Sequence, residues 1–205
     1  MSKVQVDTID TRSGTSTMQI GSTNTSTINI GVSGDTVNIP SGVTIANAGT
    51  ATGFGESNTP YFRAVRSANQ TISNLTDTKV QYDTEDFDSD NAYDNSSNYR
   101  FTPQTAGKYY FKHNVLVNSF SGSTSAGYYI QPKIKKNGAV IQQFQAYDLR
   151  SGGKDMYAQC SIIVNMNGSS DYVEAWIVNS SADSNSKDVD EYLGWSSFEG
   201  FRIAT

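Results

Sequence analysis

Six carboxylates fall within the twelve residues from Asp83 to Asp94, and Asp86, Asp88 and Asp90 repeat the D-x-D-x-D opening of a calcium loop, in which alternate oxygens converge on a hard cation. The remainder of such a loop is missing. Asn91 stands where the sharp turn needs glycine, Ser97 stands where a bidentate glutamate closes the shell, and neither flank has a helical period. Asp86, Asp88 and Asp90 are thus a partial calcium candidate set against the commoner solvated acidic loop. His113 is the only histidine and Cys160 the only cysteine. Each lies in an alternating apolar stretch, which predicts a buried, hydrogen-bonded imidazole and an inert buried thiol. No serine elbow, second histidine or thiolate cluster accompanies them, and no carboxylate pair is singled out for glycoside hydrolysis. A non-enzymatic chain without catalytic residue, resident metal or cofactor is the expectation.

Aromatic surface is the chemistry this chain has in surplus. Of its 23 aromatic residues only Phe54 lies in the first 55 positions. Tyr128, Tyr129, Tyr147, Tyr157, Tyr192 and Trp195 include more rings than one core readily hides. The plainer reading is that all of them are core or interface between copies; the alternative is recognition of sugars and protein surfaces, since Tyr and Trp join stacking area to a hydrogen-bonding tip. The loops Ser119 to Gly127, Leu149 to Asp155 and Ser180 to Asp190 would carry such recognition. A formal net charge of −5 argues against nucleic acid as the partner, which selects a basic face. No apolar run approaches the roughly 18 residues of a membrane span, and the N-terminus lacks a basic-then-apolar profile, so a soluble chain without membrane insertion or export signal is expected.

The elements that must position these residues are strands. Tyr109, Phe111, His113, Val115 and Val117 alternate with more polar neighbours in a sustained period of two. Cys160, Ile162, Val164 and Met166 give a second such face, and Val173, Ala175 and Ile177 a third. Turn signals separate them, among them Asn167-Gly168 and above all Asn137-Gly138, whose residues take the positive backbone angles of a two-residue hairpin. Phe101, Tyr109, Phe111, Val115, Val117, Ile162, Val164, Val173 and Ile177 form the expected core of an all-β sandwich or jelly roll spanning residues 56–205.

Residues 1–55 differ in kind, for 30 of them are Ser, Thr, Asn or Gly. Their few large apolar residues recur as Thr17-Met18-Gln19-Ile20, Thr27-Ile28-Asn29-Ile30 and Thr36-Val37-Asn38-Ile39, with a degenerate copy at Gly42-Val43-Thr44-Ile45. Alternation puts both aliphatics of each copy on one face of a short strand. A strand so small cannot bury itself. Three chains wound together would bury Ile20, Ile28, Ile30, Val37, Ile39, Val43 and Ile45 in a shared stalk core over 16–55, leaving 1–15 as a docking segment; a flexible polar arm is the plainer reading.

Two resemblances follow from particular residues. Val4 to Gly14, the Ile-Gly repeats and Ile39-Pro40-Ser41-Gly42-Val43-Thr44-Ile45 resemble N-terminal segments of tail-fibre and fibre-like virion proteins of marine bacteriophages. Phe101-Thr102-Pro103-Gln104-Thr105-Ala106-Gly107-Lys108-Tyr109-Tyr110-Phe111 resembles the central signature of the complement globular-head and tumour-necrosis-factor-like family. Tyr93-Asp94, Lys136-Asn137-Gly138, Asp171-Tyr172-Val173 and Phe198-Glu199-Gly200-Phe201-Arg202-Ile203 match further elements of that family in order, although Ser170 replaces its usual glycine. The second resemblance implies a ten-stranded jelly roll assembling as a homotrimer. The first implies attachment to a phage particle, without saying where on it. Taken together the two are read as a trimeric virion tail fibre or spike that joins other virion proteins through its N-terminus and contacts a host glycan or protein. A capsid-associated decoration protein without receptor recognition is the alternative, and a carbohydrate depolymerase a more distant one. Replacing Ile30 or Ile39 with Asp is expected to loosen the trimer, read as a fall in solution mass by light scattering.

Overall fold

The structure, a computed structural model of the 205-residue chain, describes residues 20, 23–24, 26–46, 58–120, 128–148, 154–181, 184–191 and 194–203, apart from the side chains of 119, 120, 148 and 154. The chain divides into two units, Met1–Thr52 and Gly53–Thr205.

In the first unit, residues 26–46 run through turns at Ser33-Gly34 and Ser41-Gly42 and form no strand. The Asp35 carboxylate accepts the Val32 N–H at 2.9 Å, and the Asp35 N–H returns to the Val32 carbonyl. Alternation predicts short strands here. A ladder needs a second backbone alongside, which the repeat within one chain does not provide. Ile20, Ile28, Ile30, Val37, Ile39, Val43 and Ile45 are accordingly all exposed. The docking segment 1–15 and the copy at Thr17-Met18-Gln19 lie outside the described residues.

The second unit is an all-β jelly-roll sandwich of two seven-stranded sheets. The first holds β1 (Tyr61–Val65), β2 (Gln70–Ile72), β4 (Thr84–Asp88), β7 (Gly107–Phe120), β11 (Lys154–Met166), β13 (Lys187–Val189) and β14 (Ser197–Ile203). The second holds β3 (Thr78–Lys79), β5 (Tyr93–Asp94), β6 (Arg100–Phe101), β8 (Tyr128–Lys136), β9 (Ala139–Gln143), β10 (Ala146–Asp148) and β12 (Val173–Ser180). These fourteen described strands exceed the ten expected because several are half-length pieces lying end to end. Both β13 and β14 pair one flank of β7, both β9 and β10 pair one flank of β8, and both β3 and β6 pair one flank of β12.

Aromatic rings join the two layers. Phe62 stacks on Phe101 at 4.4 Å and Tyr93 at 5.0 Å, meets Phe198 edge-on at 5.1 Å, and lies 6.4 Å from Phe111. Burying each such ring contributes about 1.5–3 kcal/mol, with ring pairing adding to it. Phe101, Tyr109, Phe111, Val115, Val117, Val173 and Ile177 are fully buried, whereas Ile162 and Val164 pack half-buried against the cluster. Buried hydroxyls find partners: Tyr82 donates to the Asn114 carbonyl at 2.8 Å, and Tyr93 donates to that of Tyr82 at 3.1 Å.

Turns fix the register. Asn137 and Gly138 both have positive φ, 51° and 81°, and close the β8–β9 hairpin. Asn137 also donates to Asp171 at 2.8 Å and accepts the Tyr172 N–H at 3.0 Å, while Lys136 pairs with Asp171 at 2.7 Å, which ties this hairpin to the start of β12. Asp94 caps the β5–β6 turn by accepting the N–H groups of Ser96, Ser97 and Asn98. Those bonds, with the Ser97 N–H foremost, hold its carboxyl far below the usual range.

Gly200 sits in register between Phe62 and Phe111. A Cβ there would come within 2.5 Å of the Phe111 ring and 2.8 Å of the Tyr110 carbonyl. Gly200→Ala is expected to destabilise the unit by about 1–3 kcal/mol through overpacking, measured as a lowered urea midpoint with unchanged slope.

Candidate functional site

Strand alternation that turns Phe62, Phe111 and Gly200 inward must turn their neighbours outward. Tyr61 opposes Phe201, Phe201 opposes Tyr110, and Tyr110 opposes Ile163, so one apolar row crosses β1, β14, β7 and β11 on the solvent face of the first sheet. The rings touch: Tyr110 and Phe201 are 5.5 Å apart, and Phe87 of β4 meets Tyr61 edge-on at 5.7 Å. A groove of about 470 Å³ lies along Tyr61, Phe87, Tyr110 and Phe201. Ile163, which ends the row on β11, is 60% exposed.

A charged band flanks the row. Arg63 pairs with Asp86 and with Glu199, the latter at 3.3 Å, and Lys112 approaches Glu199 at 4.0 Å. Beyond the band stands a second aromatic pair, Tyr157 and Trp195, with ring centroids 6.4 Å apart and both about half exposed. The Tyr157 hydroxyl donates to Asn114 Oδ1 at 3.0 Å, and Asn114 in turn donates to Ser197 Oγ at 2.9 Å. The whole face therefore offers apolar area at one end and stacking area with anchored polar groups at the other.

The strand register also defines the two ends of the sandwich. Phe120 opposes Lys154, Asp148 opposes Tyr128, and Ser180 opposes Tyr129, which gathers the β7–β8, β10–β11 and β12–β13 connections at one end. Tyr61, the first residue of β1, lies level with Tyr110, close to Gly107 and Met166 at the opposite end. Residues 121–127, 149–153 and 182–183 of the predicted recognition loops, and Tyr192, fall outside the described residues.

The partial calcium motif is not assembled. Thr84 to Asp88 form β4, and a register shift against β1 leaves Asp86 between Glu85 and Phe87 as the extra residue of a bulge. Asp86 is spent on Arg63, Asp88 accepts the Tyr93 N–H at 2.7 Å, and Asp90 accepts the Ser89 hydroxyl at 2.7 Å. Among the described residues no group of three His, Cys, Asp or Glu side chains is placed to hold a metal.

Of the rings singled out in the sequence, Tyr128 is buried and not part of any surface, Tyr129 is half-buried, and Tyr147 is exposed. Cys160 is buried, and desolvation pushes its thiol up to about 12, which leaves it protonated and inert. His113 is fully buried against Tyr82 and Phe198. The Lys133 carbonyl can only accept, so Nδ1 carries the hydrogen of their 3.3 Å bond, and Nε2 has no partner among the described residues. Sequence reasoning missed the row Tyr61–Phe201–Tyr110–Ile163. Its signal was the adjacency of two large apolar residues, Tyr61-Phe62, Tyr110-Phe111 and Ile162-Ile163, since a strand can turn only one of each pair inward.

No family model and no curated protein matches the chain. Among solved structures it is similar to the globular domain of zebrafish complement 1qA protein, at 15% identity over 70% of this chain and 97% of that one with a TM-score of 0.46. It is also similar to the Eiger TNF of S. frugiperda, at 9% identity over 71% and 91% with a TM-score of 0.48.

Desolvation lowers the His113 pKa to about 3, against 6.5 when unburied. The unfolded chain therefore binds one proton more than the folded chain between those values, and stability that is complete above pH 6.5 is lost as the pH falls toward 3. His113→Phe is expected to flatten the pH dependence of the unfolding midpoint across that window, followed by circular dichroism at fixed ionic strength.

Proposed function

We propose that the chain is a non-enzymatic virion protein of a bacteriophage, a homotrimeric tail fibre or spike whose jelly-roll head contacts the host surface. The observation that carries assembly is the uncovered row Tyr61–Phe201–Tyr110–Ile163. An isolated head would leave these rings in water, and a second copy laid against them recovers on the order of 25 cal/mol for each Å² covered. The exposed isoleucine repeat asks for the same remedy, because parallel chains side by side give each other both a ladder and an apolar seam. Threefold stoichiometry follows the family resemblance of the motifs from Phe101 to Phe111.

Host contact is supported by the ends of the sandwich. β1 begins near one end, and the strand ends Phe120, Tyr128, Asp148, Lys154 and Ser180 lie at the other, the end we assign to contact with a cell. Connections there can vary in length without disturbing the ladders that hold the core.

The test of assembly is solution mass. The full chain is expected to scatter as three copies of 22.3 kDa, and Ile163→Asp, which changes an exposed side chain, to lower that mass while leaving the circular dichroism unchanged. A single-copy mass for the unaltered chain would refute assembly through this row. Contact with the host predicts that the purified chain adsorbs to susceptible cells and competes with infection; a capsid decoration protein does neither, and a depolymerase releases reducing ends.

A further inference from the structure

We propose that Tyr129 and Tyr147, with Gln131 and Gln145 beside them, form a binding platform for a neutral oligosaccharide. The inference gives a ligand class to the host contact proposed above and rests on that reading for its biological role, but its chemistry stands on the second sheet alone. Tyr147 opposes Tyr129 across β10 and β8, and the next residues along, Ala146 and Ile130, oppose each other with Ile130 fully buried. Alternation therefore sends both tyrosines to the solvent face. Their rings lie 5.8 Å apart at 59°, and Tyr147 is 65% exposed. Neither phenol has a hydrogen-bond partner among the described residues.

One step along the strands, Gln131 donates through Nε2 to Gln145 Oε1 at 3.4 Å. That bond leaves Gln131 Oε1 and Gln145 Nε2 without a partner among the described residues, an acceptor and a donor presented together. Ser180 stands opposite Tyr129 on β12. The patch thus combines two stacking faces with phenol, amide and hydroxyl groups that both give and take hydrogen bonds. A pyranose ring presents the complement: C–H groups on its faces and hydroxyls around its rim.

Charge decides between kinds of saccharide. Tyr129, Tyr147, Gln131, Gln145 and Ser180 are uncharged, and the next outward cation on β8, Lys133, is already paired with Asp77 at 3.1 Å. Burial alone would raise Asp77, but bonds from Lys135 and Lys133 outweigh it and keep the carboxyl ionised. With a chain charge of −5, a sulfated or uronic ligand meets an opposing field and, among the described side chains, finds no free cation here. Position agrees with recognition: Tyr129 and Tyr147 adjoin the end of the sandwich where the inter-strand connections gather, and they lie on the sheet not used by the apolar row.

The experiment is calorimetric titration of the full chain with mannohexaose, cellohexaose and the hexamer of N-acetylglucosamine. At least one is expected to bind, with affinity falling about tenfold in Tyr147→Ala and in Gln145→Ala, as for removal of a central contact. Val140→Ala, an exposed change near the other end of the same sheet edge, is expected to leave affinity unchanged. No heat with any of the three, or affinity indifferent to Tyr147→Ala and Gln145→Ala, overturns the platform. Saccharide binding lost in Tyr147→Ala by a chain that adsorbs to no cell upholds the platform and removes the host-contact reading.

Discussion

The ring of Phe62 meets Phe101, Phe111, Phe198 and Tyr93, and the sandwich depends on that meeting. Phe62, Phe111 and Phe198 come from the first sheet, Phe101 and Tyr93 from the second. The missing Cβ at Gly200 gives the Phe111 ring its room, so a small residue on β14 is as much a part of the cluster as the rings are. Once β1, β7 and β14 are pinned by these inward residues, a period of two leaves no freedom on the other face. Tyr61, Tyr110 and Phe201 are turned outward by the same constraint that buries their neighbours. The apolar row is the geometric complement of the core, and a one-residue slip would exchange the two.

That constraint explains which features were legible in the sequence. The positive φ angles at Asn137 and Gly138 need only two adjacent residues, and the alternation from Tyr109 to Val117 lies on one strand, so both can be read locally. Features assembled from distant segments cannot. The row draws on four strands spread from position 61 to 201, and only the register brings them side by side. Tyr128 is buried while its neighbour Tyr129 faces outward, and sequence alone does not say which of an adjacent pair is turned in. The aspartates show a related limit. Asp86 and Asp88 share the spacing of a calcium loop, but in β4 a bulge gives Asp86 to Arg63 while Asp88 caps the chain before β5. Spacing is common to a loop and a strand; the partner across the ladder is what separates them.

Polar groups at the hairpin ends tie together motifs that are distant in sequence. Lys136-Asn137-Gly138 and Asp171-Tyr172 are far apart in sequence, yet Asn137 both donates to Asp171 and accepts from the backbone of Tyr172. The residue before Asp171 is Ser170, and the turn is still held, because Asn167 Oδ1 accepts the N–H groups of Ser169, Ser170 and Asp171, each at 3.0 Å. An amide cap thus organises a turn that has serine before Asp171. Motif matching registers a departure there; the hydrogen bonds show how the turn accommodates it.

The two sheets differ in what their outer faces can do. On the first, the charges of Arg63, Lys112, Asp86 and Glu199 form a narrow band beside a row of rings, so contact with a second copy can cover the apolar residues while the ion pairs stay near its margin. On the second, Lys133 and Lys135 share Asp77, Lys79 pairs with Glu174 at 2.6 Å, and Lys135 Nζ lies 3.5 Å from the centre of the Trp176 ring. These cations already have anions and an aromatic face for partners, and covering them further would exchange satisfied interactions for a desolvation cost. Covering the outer face therefore costs less on the first sheet than over this network. What remains available on the second is its margin at β8 and β10, where uncharged side chains can meet a ligand without dismantling an ion pair. Self-assembly and recognition can then occupy different sheets, and neither needs to give up surface to the other.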